Sequence, residues 1–239
     1  MSKQNQKTDQ LKNHLTYSWW KYLILAIVVV LGWNLIYSAT AYKPPADKQI
    51  TIYFALHGGI ASESTEYLRQ TVLDNDPNLE DATVIAISYS EDDYYGSMRL
   101  STYMGAGEGD IYILQRDIFD GFAAGGGFVR FDEYLADGTL SLNGYDAGET
   151  GFMTDEDGVS GILYLPLENL YGLMDLGIDN RDLVLVVMGF SKNQDGAVRY
   201  VNWLFDNMTA EKPQWVVELE NAELEALDQQ EKEIQLPSY

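Results

Sequence analysis

Between Trp19 and Tyr37 the chain reads WWKYLILAIVVVLGWNLIY, an apolar run interrupted only by Lys21 near one end and Asn34 near the other. As a helix this segment is about 28 Å long, close to the roughly 30 Å of a bilayer's hydrocarbon core. It predicts one transmembrane helix over residues 19–41, with Trp19, Trp20 and Lys21 at one interface and Trp33 and Tyr37 towards the other. Lys3, Lys7, Lys12 and Lys21 are opposed only by Asp9 on the short side, whereas residues 42–239 carry 11 basic and 36 acidic groups. The positive-inside rule therefore puts residues 1–18 in the cytoplasm as a tail and the bulk of the chain outside, at the cell membrane. A cleaved signal peptide is the competing reading, because Ala39-Thr40-Ala41 has the small-residue pattern of a cleavage site. The long apolar core and the polar tail before it favour an uncleaved signal-anchor, and both readings export the domain.

Composition narrows the partners. With 239 residues, 46% of them hydrophobic, the chain has material for one well-cored domain and appendages. A net charge of −22 repels nucleic acid and anionic headgroups, so no nucleic-acid role is expected. The absence of cysteine removes disulfides, thiolate zinc sites, cysteine nucleophiles and a lipid anchor on cysteine.

Residues 42–49 form a tether in which Pro44 and Pro45 favour extended geometry and stop helix from continuing out of the membrane. The domain then spans 50–212. ITIYFAL, Ile50 to Leu56, is β-branched and aromatic like a central strand, and the following turn leads into a helix with Ser62 as N-cap and Glu63 and Glu66 at its positive end. DNDP ends that helix, and ATVIAISYS, Ala82 to Ser90, is apolar on both faces as a covered parallel strand is. A second helix closes at Gly105 and Gly107, and Asp110 to Leu114 supplies a third strand. This βαβαβ order predicts an α/β fold, a single open, mostly parallel sheet with helices on both faces. Ligands of such sheets sit beyond the carboxyl ends of the strands, which here are His57 to Gly59, Tyr89 to Glu91 and Gln115 to Asp117. His57, Gly58, Tyr89, Ser90, Arg116 and Asp117 are accordingly the candidate ligand-binding residues. Further on, DLVLVVMGF is a buried strand and SKNQDGAVRYVNWLFDNM a helix with Val198, Val201, Trp203, Leu204 and Phe205 on its apolar faces. The acidic segment 213–239 reads equally as an amphipathic helix or a tail.

Three motifs resemble chemical sites and fail in detail. GAGEG, Gly105 to Gly109, closes a helix and enters a strand, the reverse of a phosphate-binding loop, so it is a helix cap and tight turn. DNDPNLED, Asp74 to Asp81, alternates oxygen ligands like a calcium loop, but Leu79 stands where glycine is required and Ile85 where the closing Glu belongs. Of the two histidines, His14 falls in the cytoplasmic tail and His57 has no nucleophile elbow or HExxH helix beside it. No catalytic constellation, metal site or cofactor is expected, and the chain is not read as an enzyme.

RLSTYMGAGEGDIYILQRDIFDGFAAGGGFVRFDEYL, Arg99 to Leu135, resembles the first lobe of bacterial extracellular solute-binding proteins of ABC importers. In that family a helix ending in a glycine turn leads to a strand opened by Gly-Asp, and an FDxYL-like segment closes the piece. GVSGILYLPLENLY, Gly158 to Tyr171, and SKNQDGAVRYVNWLF, Ser191 to Phe205, are similar to later pieces of the same family. The resemblance implies one lobe of a periplasmic-binding-protein-like fold, a sugar or peptide as solute, and an ABC permease as membrane partner. It departs from the family between FDEYL and SKN, where only 55 residues, Ala136 to Phe190, stand in place of a second lobe. One lobe has no hinge to close and leaves most of a ligand's surface open. The expected function is a membrane-anchored, solute-binding-like module, and the alternative is a non-catalytic interaction protein that docks a membrane partner.

Overall fold

The structure, a computed structural model, describes residues 3–89, 94–123, 125–145, 151–154, 158 and 160–234. It separates into two units, residues 1–43 and 44–239. The first is one helix, α1, Lys3–Thr40, which runs back from the apolar segment through the polar residues before it. Its stretch Trp19–Thr40 is long and apolar enough to cross a membrane, and its side chains have no protein cover. Near its end Thr40 Oγ1 and Ser38 Oγ donate to the carbonyls of Ile36 and Leu35, so these hydroxyls are satisfied within the helix.

The second unit is built on a five-stranded sheet in the order β2-β1-β3-β7-β6. β1 (Gln49–His57) pairs in parallel with β2 (Asp81–Tyr89) and with β3 (Ile111–Gln115). β7 (Leu183–Val187) runs antiparallel to β3, and β6 (Leu165–Pro166) antiparallel to β7. Four strands thus share one direction and β7 alone is reversed. The reason is its connection. β7 is reached from β6 through a short 3-10 turn, Tyr171–Leu176, and Gly177 at φ +72°, without the helical crossover that a parallel return requires. β4 (Phe152–Thr154) and β5 (Ser160–Ile162) form a separate two-stranded hairpin.

Period-2 alternation divides the core between the two faces of the sheet. Ile50, Ile52, Phe54, Ile111, Ile113, Leu183 and Leu185 meet Leu68 and Val72 of α2 (Ser62–Asn75) and the apolar face of α6 (Gln194–Met208). Tyr53, Ala55, Tyr112, Leu114, Val184 and Val186 meet Leu100 of α3 (Tyr94–Gly105) and Ile118 and Phe119 of α4 (Arg116–Ala123). Helices cover both faces, as the sequence predicts. α5 (Asp132–Ala136) takes up the FDEYL segment after its N-cap Phe131, and α7 (Gln214–Ile234) makes that part of the acidic C-terminal stretch helical. One expected detail differs. Ala61, not Ser62, holds the N-cap position of α2, and its carbonyl takes the N–H groups of Ser64 and Thr65. Ser64 Oγ instead donates to the carbonyl of Leu176, 2.8 Å away, tying α2 to the 3-10 turn.

Where α6 passes over the sheet, Tyr200 is 4% exposed and its hydroxyl has no hydrogen-bond partner among the described residues. Burial pushes its pKa up. Tyr200→Phe removes an unsatisfied buried group and fills the same space, so it is expected to raise stability by about 1–2 kcal/mol in chemical denaturation. An equal loss would show that the hydroxyl is hydrogen-bonded in solution.

Candidate functional site

The carboxyl ends of three adjacent strands converge on His57. Its backbone N–H donates to Gln115 Oε1 at 2.7 Å, its Nε2 lies 2.7 Å from Asp117 Oδ2, and its Nδ1 lies 3.3 Å from the carbonyl oxygen of Tyr89. The rings of His57 and Tyr89 meet edge to face at 5.9 Å. This geometry follows from register. His57 pairs with Tyr89 in the parallel ladder, and β3 ends beside it so that α4 begins with Asp117 in its first turn. A carboxylate there also complements the positive end of the helix. Gly58 leaves β1 at φ +106°, a backbone conformation that lets the chain turn away from the rim at once.

Of the residues expected to bind ligand, His57, Gly58, Tyr89 and Asp117 therefore come together. Arg116 does not join them. Its Nε donates to Asp120 Oδ1 at 2.8 Å, its Nη1 to the Tyr164 hydroxyl, and its guanidinium carbon sits 4.4 Å from the centre of the Tyr164 ring. Burial works against its charge, but Asp120 and Tyr164 outweigh that and hold its pKa above the ordinary value. Ser90 lies outside the described residues. Gln115, at the end of β3, was not distinguished by sequence as a partner of His57, since nothing in ILQRD marks a glutamine that reaches across a parallel pair.

Chemically the rim offers hydrogen bonds and aromatic surface. Both ring nitrogens of His57 face oxygen atoms, so the imidazole is oriented by its neighbours rather than aimed at an open position. The imidazole and the carboxylate of Asp117 are both solvent-accessible, at 39% and 55% exposure. Tyr94 and Tyr95, at the start of α3, are 73% and 72% exposed and meet each other at 6.2 Å. Other tyrosines of the domain lie largely in the core. Tyr53 stacks on Tyr112 at 4.9 Å and meets Tyr103 at a tilt at 5.0 Å, and Tyr164 is buried under Arg116. Among the described residues, no group of three His, Cys, Asp or Glu side chains is placed to hold a metal ion.

A cavity of about 250 Å³ lies between α2 and α6, lined by Val72, Leu79, Tyr200 and Trp203 and rimmed by polar side chains. Most of those polar groups are engaged in structure. Arg199 Nε pairs with Asp76 at 2.7 Å, Asn202 bridges Thr139 and Ser141, and Asn75 and Asn207 cap carbonyls of their own helices. Asp76 also accepts from the backbone and side chain of Asn78, so the acidic loop read from DNDPNLED is a helix stop clasped by Arg199.

A second polar cluster holds the opposite end of the sheet. Asp110 accepts from Thr51 N–H at 2.7 Å and from Ser191 Oγ at 2.6 Å, and Asn193 bridges Gln49 O and Gly196 N–H. The Gly-Asp that opens β3 and the Ser-Lys-Asn that opens α6 are thereby one clasp. Burial raises the pKa of Asp110 above 3.8, although its two hydrogen bonds act the other way. A raised carboxyl stabilises the fold below its unfolded pKa and loses that contribution as pH rises through the folded value. Subtracting the pH–stability curve of Asp110→Asn from that of the wild type should therefore leave a decline with rising pH in the acid range. A difference that rises with pH would contradict the burial.

Against known proteins, no family model matches the sequence, and no curated protein matches it. Solved structures give partial likenesses. An ABC substrate-binding protein from Listeria monocytogenes, in complex with cycloalternan, aligns at 18% identity and TM-score 0.29, over 41% of this chain and 23% of that one. A probable secreted solute-binding lipoprotein from Streptomyces coelicolor aligns at 16% identity and TM-score 0.34, over 52% of this chain and 30% of that one. The chain thus spans less than a third of the length of either structure. Among the described residues the stretch from Ala136 to Phe190 contributes the β4–β5 hairpin, β6, a 3-10 turn and β7, and no second helix-covered lobe.

Proposed function

We propose that this chain is a membrane-anchored, extracytoplasmic solute-binding-like module that holds a small polar solute, a sugar or a peptide, at the strand-end rim of its one lobe. The observation that carries this reading is the convergence of β1, β2 and the β3–α4 junction on His57, which sets a carboxylate, an imidazole and the Tyr89 ring side by side. Such a rim suits hydroxyl and amide groups, with aromatic surface for an apolar ring face. Association with an ABC permease belongs to the same reading.

The test is a thermal-shift screen of the full chain in nanodiscs against sugars and oligopeptides. A solute at about 100 times its dissociation constant should stabilise the domain by roughly 2.7 kcal/mol, and His57→Ala with Asp117→Asn should abolish that shift. A flat screen on a cooperatively melting domain would reject the reading. The rim is open and Tyr94 and Tyr95 are largely exposed, which favours a second reading, a non-catalytic module that docks a membrane partner on this face. Recovery of the permease by in-membrane crosslinking through Tyr94, without any solute shift, would select it.

Topology has its own test. Because the chain lacks cysteine, single thiols report sidedness without background. Asp137→Cys should react with a membrane-impermeant maleimide in intact cells, and Asn5→Cys only after permeabilisation. The reverse pattern would overturn the orientation.

A further inference from the structure

Along the apolar stretch Trp19–Thr40 of α1 the polar side chains are not equally provided for. Lys21 stands near the Trp19 end and is long enough to bring its charge to the interface. Ser38 and Thr40, at the other end, satisfy their hydroxyls on carbonyls one turn back in the helix. Asn34 has neither provision. It lies about 9 Å inside the Thr40 end at helical rise, too deep for so short a side chain to reach water. It is exposed on the helix and its amide makes no hydrogen bond among the described residues. In hydrocarbon an unpaired amide is costly, and another helix is what can pair it. Leu23, Ile27, Val30 and Tyr37 share a face with Asn34, spaced alternately by four and three residues as in the seam of a two-stranded coil. A shallow crevice between Val29, Val30, Trp33, Asn34 and Tyr37 borders this face. The competing seam for membrane helices, two small residues four apart, does not occur between Trp19 and Thr40.

We infer that α1 pairs in the membrane with α1 of a second copy of this chain, through Asn34 and the face of Leu23, Ile27, Val30 and Tyr37. Self-complementarity selects the occupant. A side-chain amide carries both donors and an acceptor, so one asparagine satisfies another. Copies inserted in the same orientation pair in parallel, and two-fold symmetry then brings Asn34 to Asn34 at the same depth. A single asparagine in such a seam fixes its register and favours two strands. The like charges of two copies oppose the pair, but they lie outside the apolar stretch, where salt screens them. The inference rests on the reading of α1 as a membrane anchor and is independent of solute binding.

The experiment uses the full chain in phosphatidylcholine liposomes, with Asn5→Cys labelled separately by a donor and an acceptor fluorophore. Energy transfer should rise to saturation with the protein-to-lipid ratio and fall when unlabelled chain is added. Asn34→Leu should weaken association about three- to thirty-fold, and Asn34→Gln, which keeps the amide, should retain most of it. Because the chain lacks cysteine, single thiols also map the seam. Ile27→Cys, Val30→Cys and Tyr37→Cys should form disulfide-linked dimers under mild oxidation, and Leu25→Cys and Leu35→Cys, on the far side of the helix, should not. Equal association of Asn34→Leu and the parent, or disulfides formed as readily from the far side, would overturn the proposal. Flotation of the liposomes separates this inference from the anchor reading. A chain absent from the floated lipid defeats both, whereas a floated chain that stays monomeric defeats the pairing alone. Crosslinking of Tyr37→Cys in cells to a different membrane protein, without a disulfide between copies, would give the seam to that protein and overturn the proposal as well.

Discussion

Gly109→Ala is expected to lower the stability of the α/β domain by about 2–5 kcal/mol. Gly109 adopts φ +85°, and an added Cβ would lie 2.6 Å from Cδ2 and Cε2 of Tyr53 and 3.2 Å from Cε2 of Tyr112. The left-handed backbone costs an alanine about 1–2 kcal/mol. Relief by movement of the rings is blocked, since Tyr53 and Tyr112 are buried, stack at 4.9 Å, and the Tyr112 hydroxyl donates to the carbonyl of Glu108 at 2.7 Å. Overpacking a core of this kind costs about 1–3 kcal/mol more. The control is Gly105→Ala in the same turn, where an added Cβ meets nothing within 4 Å and the φ angle is not left-handed. Urea denaturation of both variants decides the matter. If both lose the same amount, the Tyr53 contact is not what requires glycine at 109.

Asn193→Ala should cost about 2–3 kcal/mol. The side chain is buried, with Oδ1 accepting from Gly196 N–H at 3.0 Å as the N-cap of α6 and Nδ2 donating to Gln49 O at 3.0 Å. Loss of a cap costs about 1 kcal/mol, and the carbonyl left at the start of β1 without this donor adds about 1–2 kcal/mol. Asn193→Asp separates the two. It keeps the acceptor for Gly196 and loses the donor to Gln49, so it should fall between wild type and alanine. An aspartate variant as stable as the wild type would show that the bond to Gln49 contributes nothing, and one as unstable as alanine that the cap contributes nothing.

Much of the fold was legible in order along the chain. The βαβαβ succession up to Leu114 was readable because each strand is a short β-branched or aromatic run and each helix ends at glycine, or at Asp-Pro, both local signals. The direction of β7 was not. LVLVV has the same composition whichever way it runs, and only the short connection from β6 reverses it. At the candidate site, His57, Tyr89 and Asp117 were placed by the general behaviour of parallel strand ends. Arg116 and Asp117 are neighbours in sequence, yet the start of a helix sends one side chain to Tyr164 and the other to His57. No periodicity distinguishes them.

The sequence by itself determined a single apolar helix able to span a bilayer, an acidic domain with no thiol chemistry, and a sheet covered on both faces, because length, charge and hydrophobic period are properties of the chain. Only the tertiary structure decided which polar residues meet. Asp110 and Ser191 are 81 positions apart and His57 and Asp117 are 60 apart. The first contact exists because antiparallel β3 and β7 set the start of one beside the end of the other, and the second because parallel β1 and β3 end on the same side. That register is set by packing against helices elsewhere in the fold.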